Sequence, residues 1–223
     1  MTCPDTETFV AWKKAKGLRS CNYEKSHKPG DIVKIAGTEF VVLDVQKSAA
    51  MDGRDKLFIL LKEPAGDTAF SENDSNDFSK SMLREKTDEW FEKFAEGINR
   101  VCVYSREIDL TTVDGIANHG VLHLPVAPLT FDEYRKYFRY IPNCGKSYWL
   151  ATGYGAPGHY GATRALYVYS NGDWNYYYCS DSYAVRPALI VSSFLLDDTE
   201  SDLSRYTTEE LLEEIRNRIG NSI

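Results

Sequence analysis

Residues 164–178 admit few folds. Arg164-Ala-Leu-Tyr-Val-Tyr169 and Trp174-Asn-Tyr-Tyr-Tyr178 flank the tetrapeptide Ser170-Asn-Gly-Asp173. β-Branched and aromatic residues on both sides of an Asn-Gly pair specify a β-hairpin. Strand alternation then sorts the side chains. Leu166 and Val168 share one face, and Ala165, Tyr167 and Tyr169 the other. On the return strand Trp174, Tyr176 and Tyr178 share a face, and Asn175, Tyr177 and Cys179 the opposite one. The wider stretch 148–191 holds most of the chain's 15 tyrosines and the glycines Gly153, Gly155, Gly158 and Gly161. Tyrosine is a rigid, amphipathic contact residue, and Ser, Gly and Asn supply adaptable polar contacts beside it. Two readings stay open: a recognition surface carried on a hairpin, or a β-core rich in tyrosine, since alternation alone buries half of the rings.

The order Ser147-Tyr-Trp-Leu150, Val168-Tyr-Ser-Asn-Gly-Asp173 and Ser182-Tyr-Ala-Val-Arg-Pro-Ala-Leu189 resembles the C-terminal signature of a bacterial and phage domain family of uncharacterised function. Its members end in Y-W-L-R-S-P, a D-G turn and G-V-R-P-A-L. Upstream, Phe40-Val-Val-Leu-Asp44 resembles the family's opening strand. Asp77-Phe-Ser-Lys-Ser-Met-Leu-Arg84 resembles its helix start, and Leu129-Thr-Phe-Asp-Glu-Tyr134 its L-S-x-x-E-Y segment. The resemblance spans roughly residues 30–194. It implies an α+β, C-type-lectin-like fold of short, mixed, mostly antiparallel strands with two packed helices. It also implies kinship with variable proteins diversified by retroelements, such as phage tropism determinants. Ala151-Thr152-Gly153 replaces the family's R-S-P, and Ala184 its glycine.

The 223 residues accommodate one large domain with appendages. An apolar fraction of 43% permits a substantial core. The net charge of -7 argues against nucleic acid and anionic membrane as partners. No run is long and apolar enough for membrane insertion. The first residues lack the basic and apolar regions of a secretory signal. The chain is therefore expected to be made in the cytoplasm, and a virion-associated protein released by lysis would look the same.

Residues 1–30 read as an N-terminal extension with a short helix over 8–18. The domain proper is expected over 31–196. It begins with two strands around Ala36-Gly37-Thr38 and a buried strand at Leu57-Phe-Ile-Leu-Leu61. Residues 51–56 and 64–76 read as loops. The second loop, with Asp67, Glu72, Asp74 and Asp77, lacks the ordered ligand spacing of a calcium loop and reads as solvated. Residues 79–95 form an amphipathic helix with Leu83, Trp90, Phe91 and Phe94 inward and Gly97 as its stop. One or two short strands follow over 101–110, then a loop over 111–120. Thr130-Phe-Asp-Glu133 is a capping box opening a helix with Phe131, Tyr134, Phe138 and Ile141 inward. Residues 197–223 are expected to be an acidic linker and a helix striped with Leu211, Leu212, Ile215 and Ile219. So short a helix is marginal alone, so it is expected to dock on its own domain or, failing that, to make a homo-oligomer.

Cys3, Cys21, Cys102, Cys144 and Cys179 are scattered, with no CxxC, which argues against a zinc site or a disulfide framework. His27, His119, His123 and His159 are equally scattered. Gly120 and Pro125 argue against a helix that would pair His119 with His123. The broad fold also includes oxidases resembling the formylglycine-generating enzyme, which use paired reactive cysteines; no pair is placed by a matching motif here. Calcium-dependent lectins of this fold carry W-N-D, whereas this chain has Trp174-Asn175-Tyr176 and lacks the carboxylate a hard cation favours. Arg186 reads as a structural residue whose fork holds loop carbonyls or a carboxylate. The expectation is a binding module without catalytic residues, cofactor or metal. Its contacts would come from Tyr154, His159, Tyr160, Trp174, Asn175, Tyr177, Asp181 and Tyr183, and its partner would be a protein or glycan on a cell surface. A lectin with stacked aromatics and an assembly protein are the alternatives.

Overall fold

A computed structural model describes residues 27–47 and 55–197. The anticipated N-terminal helix, the 51–54 loop, Cys3 and Cys21, and the C-terminal linker and helix beyond residue 197 lie outside the described residues.

The chain is α+β, with most strands in antiparallel sheets. The larger sheet runs β1 (Ile32–Ile35), β2 (Thr38–Gln46), β3 (Lys56–Leu61), β13 (Pro187–Ser192) and β5 (Val103–Tyr104), with β8 (Val126–Pro128) also paired to β13. The second sheet runs β11 (Trp174–Tyr178), β10 (Arg164–Val168), β9 (Tyr148–Gly153), β12 (Ser182–Ala184) and β4 (Asp67–Ala69). Among the described residues its one parallel contact joins β12 to β9. A separate ribbon pairs β6 (Arg106–Asp109) with β7 (Val121–Leu124). The helices are α1 (Met82–Ala95), α2 (Phe131–Tyr137) and the single turn α3 (Phe194–Asp197).

Three apolar layers hold these elements. Phe40, Val42, Leu57, Ile59 and Leu61 on one face of the larger sheet pack against Phe91 and Phe94 of α1. Val41, Leu43, Leu60 and Ala188 on its other face meet Leu150, Leu166, Val168 and Ala184 of the second sheet, with Phe131, Tyr134 and Tyr137 of α2 closing that layer. The far face of the second sheet, from Trp149, Ala151, Ala165 and Tyr167, lies under Phe70, Phe78, Leu83 and the ribbon residues Ile108 and Leu110. Each fully buried Leu, Ile, Val or Phe in these layers contributes about 1.5–3 kcal/mol.

The helices differ from expectation in ways their caps explain. A 3-10 turn at Phe78–Lys80, capped by the Asp77 carboxylate, precedes α1, and Ser81 then caps α1 itself. The α-helix therefore starts at Met82 rather than at 79. In α2 both arms of the capping box form: Thr130 Oγ1 accepts from Glu133 N–H, and Glu133 Oε2 accepts from Thr130 N–H. Phe138, expected inside, is 53% exposed, and Tyr137 is buried instead. The chain tightens into a 3-10 turn after Tyr137, which rotates Phe138 away from the core. Strands β4, β7 and β8 and the turn α3 form where no element was anticipated.

Arginines tie the layers together. Arg106, 4% exposed, donates to Ala127 and Pro128 carbonyls at 2.7 Å each and pairs with Glu133. Arg186, expected to hold loop carbonyls or a carboxylate, is also buried. Arg186 itself donates through Nε to Leu61 O at 2.8 Å and lies over the Tyr148 ring at 5.0 Å. Among the described residues no helix is long and apolar enough to cross a membrane.

Candidate functional site

The β10–β11 hairpin forms as its alternation requires, with Val168 opposite Trp174, Tyr167 opposite Asn175 and Arg164 opposite Tyr178. Gly172 N–H closes the turn on Tyr169 O, and the Tyr134 hydroxyl of α2 donates to Gly172 O. Helix α2 is thereby anchored at both ends of its reach, since Tyr137 Oη donates to Asp44 Oδ2 at 2.8 Å in β2.

One face of the hairpin carries a continuous ladder of rings from core to solvent. Phe70 meets Trp149 edge-on at 5.7 Å, and Trp149 meets Tyr183 at 4.7 Å. Tyr183 stacks flat on Tyr167 at 4.4 Å, and Tyr169 packs edge-on against Tyr167 at 4.8 Å. Tyr177 leans on Tyr167 and Tyr183 at 6.5 and 6.4 Å. Trp149 is fully buried, whereas Tyr177 is 44% exposed. Asn175 Nδ2 donates to the Tyr169 hydroxyl at 3.1 Å. Burial, then the hydrogen bond with Tyr169, pushes the Tyr167 phenol far up, while Tyr167 and Asn175 hold the exposed Tyr169 phenol below its usual value. Burial raises Tyr183, and the nearby Asp181 charge adds to this.

The opposite face is organised around Arg164. Its guanidinium lies over the rings of Tyr178, Tyr160 and Tyr176 at 4.7, 5.0 and 5.8 Å, and Nη2 donates to the Tyr178 hydroxyl at 3.0 Å. Tyr154 stacks on Tyr176 at 3.8 Å, and Tyr160 stands edge-on to Tyr154. Trp174, further along the same face, packs on Phe131 at 4.5 Å. Tyr160 is 73% exposed, Trp174 45% and Tyr178 46%.

The glycine-rich loop between β9 and β10 presents Tyr154, His159 and Tyr160. It is tight because its glycines allow close approach. A Cβ at Gly155 would lie 2.2 Å from Tyr160 O, and one at Gly161, where φ is +83°, would lie 2.3 Å from the Tyr154 ring. Buried Asn76 fastens the loop, donating to Gly155 O at 2.8 Å and Arg164 O at 3.0 Å. His119 Nε2 lies 3.0 Å from Asn76 Oδ1, so Asn76 uses both ends of its amide. Asp114 accepts Ala156 N–H at 3.0 Å and faces His159 Nδ1 at 3.2 Å. The hydrogen bonds from Thr112 and Ala156 keep the Asp114 carboxyl below its usual range, with His159 adding to this.

The expected contact residues therefore separate into two groups. Asn175, Tyr177, Asp181 and Tyr183 belong to the ring-ladder face. Tyr154, Tyr160 and Trp174 belong to the Arg164 face, and His159 sits at the loop rim beside Asp114. The sequence reading missed Arg164, Tyr169, Tyr176 and Tyr178 as surface residues, and Asn76, His119 and Asp114 as loop supports. Alternation placed Tyr176 and Tyr178 on a common face but did not say which face stays open. Nothing local marks Asn76, whose partners lie 79 and 88 residues away.

The outer edge of β11 is partly closed. Tyr169 N–H bonds Asp173 O and Cys179 N–H bonds Thr163 O. With this register Asn175 and Tyr177 turn their backbone groups toward β10, and Trp174, Tyr176 and Tyr178 turn theirs outward. Asn175 Oδ1 takes the outward Tyr176 N–H at 2.9 Å, and Asp181 N–H takes the Tyr178 carbonyl at 3.1 Å.

Asp67, placed by sequence in an acidic loop, pairs with Lys146 at 2.8 Å. Among the described residues no cluster of three or more His, Cys, Asp or Glu side chains is gathered as for a metal ion. Cys102, Cys144 and Cys179 are free thiols. Burial, with the Asp74 charge nearby, pushes the Cys179 thiol up to about 12, so it is protonated and weakly nucleophilic at neutral pH. No protein-family model, no curated protein and no solved structure matches the chain.

Proposed function

We propose that this chain is a ligand-recognition module whose contact surface is the β10–β11 hairpin with the 154–161 loop. The observation that carries the reading is the exposure of Tyr160, Tyr169, Trp174, Tyr177 and Tyr178 on one hairpin and its loop, four of them at 44% or more. Exposed aromatics in that number mark interaction surfaces. Rings seated on buried neighbours are rigid, so little side-chain entropy is lost on binding. The ligand is a glycan or protein on a cell surface. The arrangement of short, mostly antiparallel strands with two helices packed on them supports a C-type-lectin-like assignment for the fold.

The test is retention of the labelled chain on a glycan array and on a panel of cell surfaces, with and without chelator. Recognition by this surface predicts retention that is indifferent to chelator. Tyr177→Ala and Trp174→Ala should each weaken it at least tenfold with little change in melting temperature. Retention unchanged in both variants would overturn the reading.

Diversification by a retroelement is a finer proposal. The exposed hairpin and loop positions hold Tyr, Asn, Asp and His, types that adenine-directed mutagenesis of Asn codons produces. Sequencing the gene across a population should then find substitutions concentrated over 152–183 with 185–189 fixed; an invariant segment would remove the idea.

A further inference from the structure

We infer that the Arg164 face binds a carboxylate-bearing sugar, with the guanidinium as the carboxylate's partner and the neighbouring tyrosine rings as the stacking floor. This rests on the recognition reading above and gives it a ligand class.

The first observation is the state of Arg164. Arg84, Arg100, Arg106 and Arg135 each hold a carboxylate, whereas Arg139 lies over Phe138 and Arg186 is buried against Leu61 O and Tyr148. Arg164 pairs with no carboxylate among the described residues; its guanidinium donates to the Tyr178 hydroxyl and also meets the Tyr160 hydroxyl. A guanidinium offers five N–H donors in a planar fork that matches a carboxylate bidentately. Here the fork is held in place by three rings within 4.7–5.8 Å of its centre. Cation–π contact orients the group and uses its face, leaving the N–H edges for an acceptor. In a chain of net charge -7, a ring-held guanidinium with no carboxylate partner among the described residues is suited to an external anion.

The second observation is the surface around it. Tyr178 and Trp174 are about half exposed and flank the Tyr154–Tyr176 stack, all on the Arg164 side of the hairpin. Alternate residues of a strand stand about 6.8 Å apart, a spacing on the scale of one sugar ring. Tyrosine and tryptophan present flat apolar faces for the C–H side of a pyranose, while the Tyr160 and Tyr178 hydroxyls reach its polar rim.

The third observation separates a sugar from an extended acidic peptide. A peptide adding as a strand needs the outward backbone groups of β11. Two of the outward groups at its centre and end, the Tyr176 N–H and the Tyr178 carbonyl, are already bonded within the chain, which breaks the ladder an added strand would need. The ligand therefore lies across the face of the hairpin rather than along its edge.

The experiment is calorimetric titration of the full chain. The ligands are oligosaccharides ending in N-acetylneuraminic acid or glucuronic acid, set against neutral counterparts ending in galactose or N-acetylglucosamine. At least one acidic ligand should bind tenfold or more tighter than its neutral counterpart, with affinity falling as salt rises. Which acid binds tells a nine-carbon sugar acid from a uronic acid. Arg164→Gln should reduce acidic ligands to the neutral level. Arg164→Lys, which keeps the charge and loses the fork, should fall between and controls for folding. Val101→Ala, exposed just before β5 and outside the hairpin and its loop, should leave the titration unchanged. Equal binding of acidic and neutral sugars, or an Arg164→Gln variant that binds as the parent does, overturns the inference and leaves a recognition module of another specificity. Failure to bind any of these sugars overturns it as well. The recognition reading falls too only if cell-surface retention also ignores Tyr177 and Trp174.

Discussion

Cys179 shows what burial does to a single group. The thiol is fully buried, and burial pushes it up to about 12. In the unfolded chain it ionises near its ordinary value of about 8.5. Its neutral form thus contributes stability that is fully present below that pH and is lost as pH rises toward the folded value. Burial raises the phenols of Tyr148 and Tyr167 in the same sense. The melting temperature is expected to fall steeply between about pH 9 and 11, and a Cys179→Ala chain should show a shallower fall from a lower starting point. A parallel fall in both chains would contradict the assignment. Arg186 and Arg106 make the opposite point about legibility. Both are arginines followed by strand residues, and sequence assigned the forked, carbonyl-holding role to Arg186. Arg186 is buried and holds one carbonyl, Leu61 O, through Nε, whereas the fork of Arg106 takes the Ala127 and Pro128 carbonyls together.

Elements whose signals are local were legible. The hairpin faces at 164–178 and the capping box at Thr130 depend on residues at most a few positions apart, and both formed as read. Thr130→Ala removes a cap whose loss costs about 1 kcal/mol, or roughly 2–4 °C in a chain of this size. Thermal denaturation should show it, and Thr130→Ser should restore most of it. Elements whose cause is distant were not legible. Strand β4 is three residues long and exists because Tyr183 and its neighbours, some 115 residues on, supply its partner strand. Strands β7 and β8 likewise answer to β6 and β13. The proposed contact surface divides in two for a related reason. Alternation separates the residues of a strand into two sets, and only the second sheet's position over α2 and the larger sheet decides how much of each set reaches solvent.

Across the whole molecule stability is graded. Strands β3 and β13 have partners on both sides and lie between two apolar layers, whereas among the described residues β11 pairs with β10 alone. Native-state amide exchange should accordingly be slowest in β3 and β13 and fastest, among the paired strands, in β11. Uniform protection across both sheets would mean that the hairpin is held more firmly than its pairing explains. The central place of β13 also bears on how the protein is born. The strand that completes the larger sheet is translated about 130 residues after β3, an interval on the order of ten seconds at ordinary elongation rates. Throughout it Leu57-Phe-Ile-Leu-Leu61 waits on the ribosome with an unfilled edge, an uninterrupted apolar segment of the kind that pairs with its own copies. A nascent chain stalled in that window exposes the kind of surface that chaperones shield.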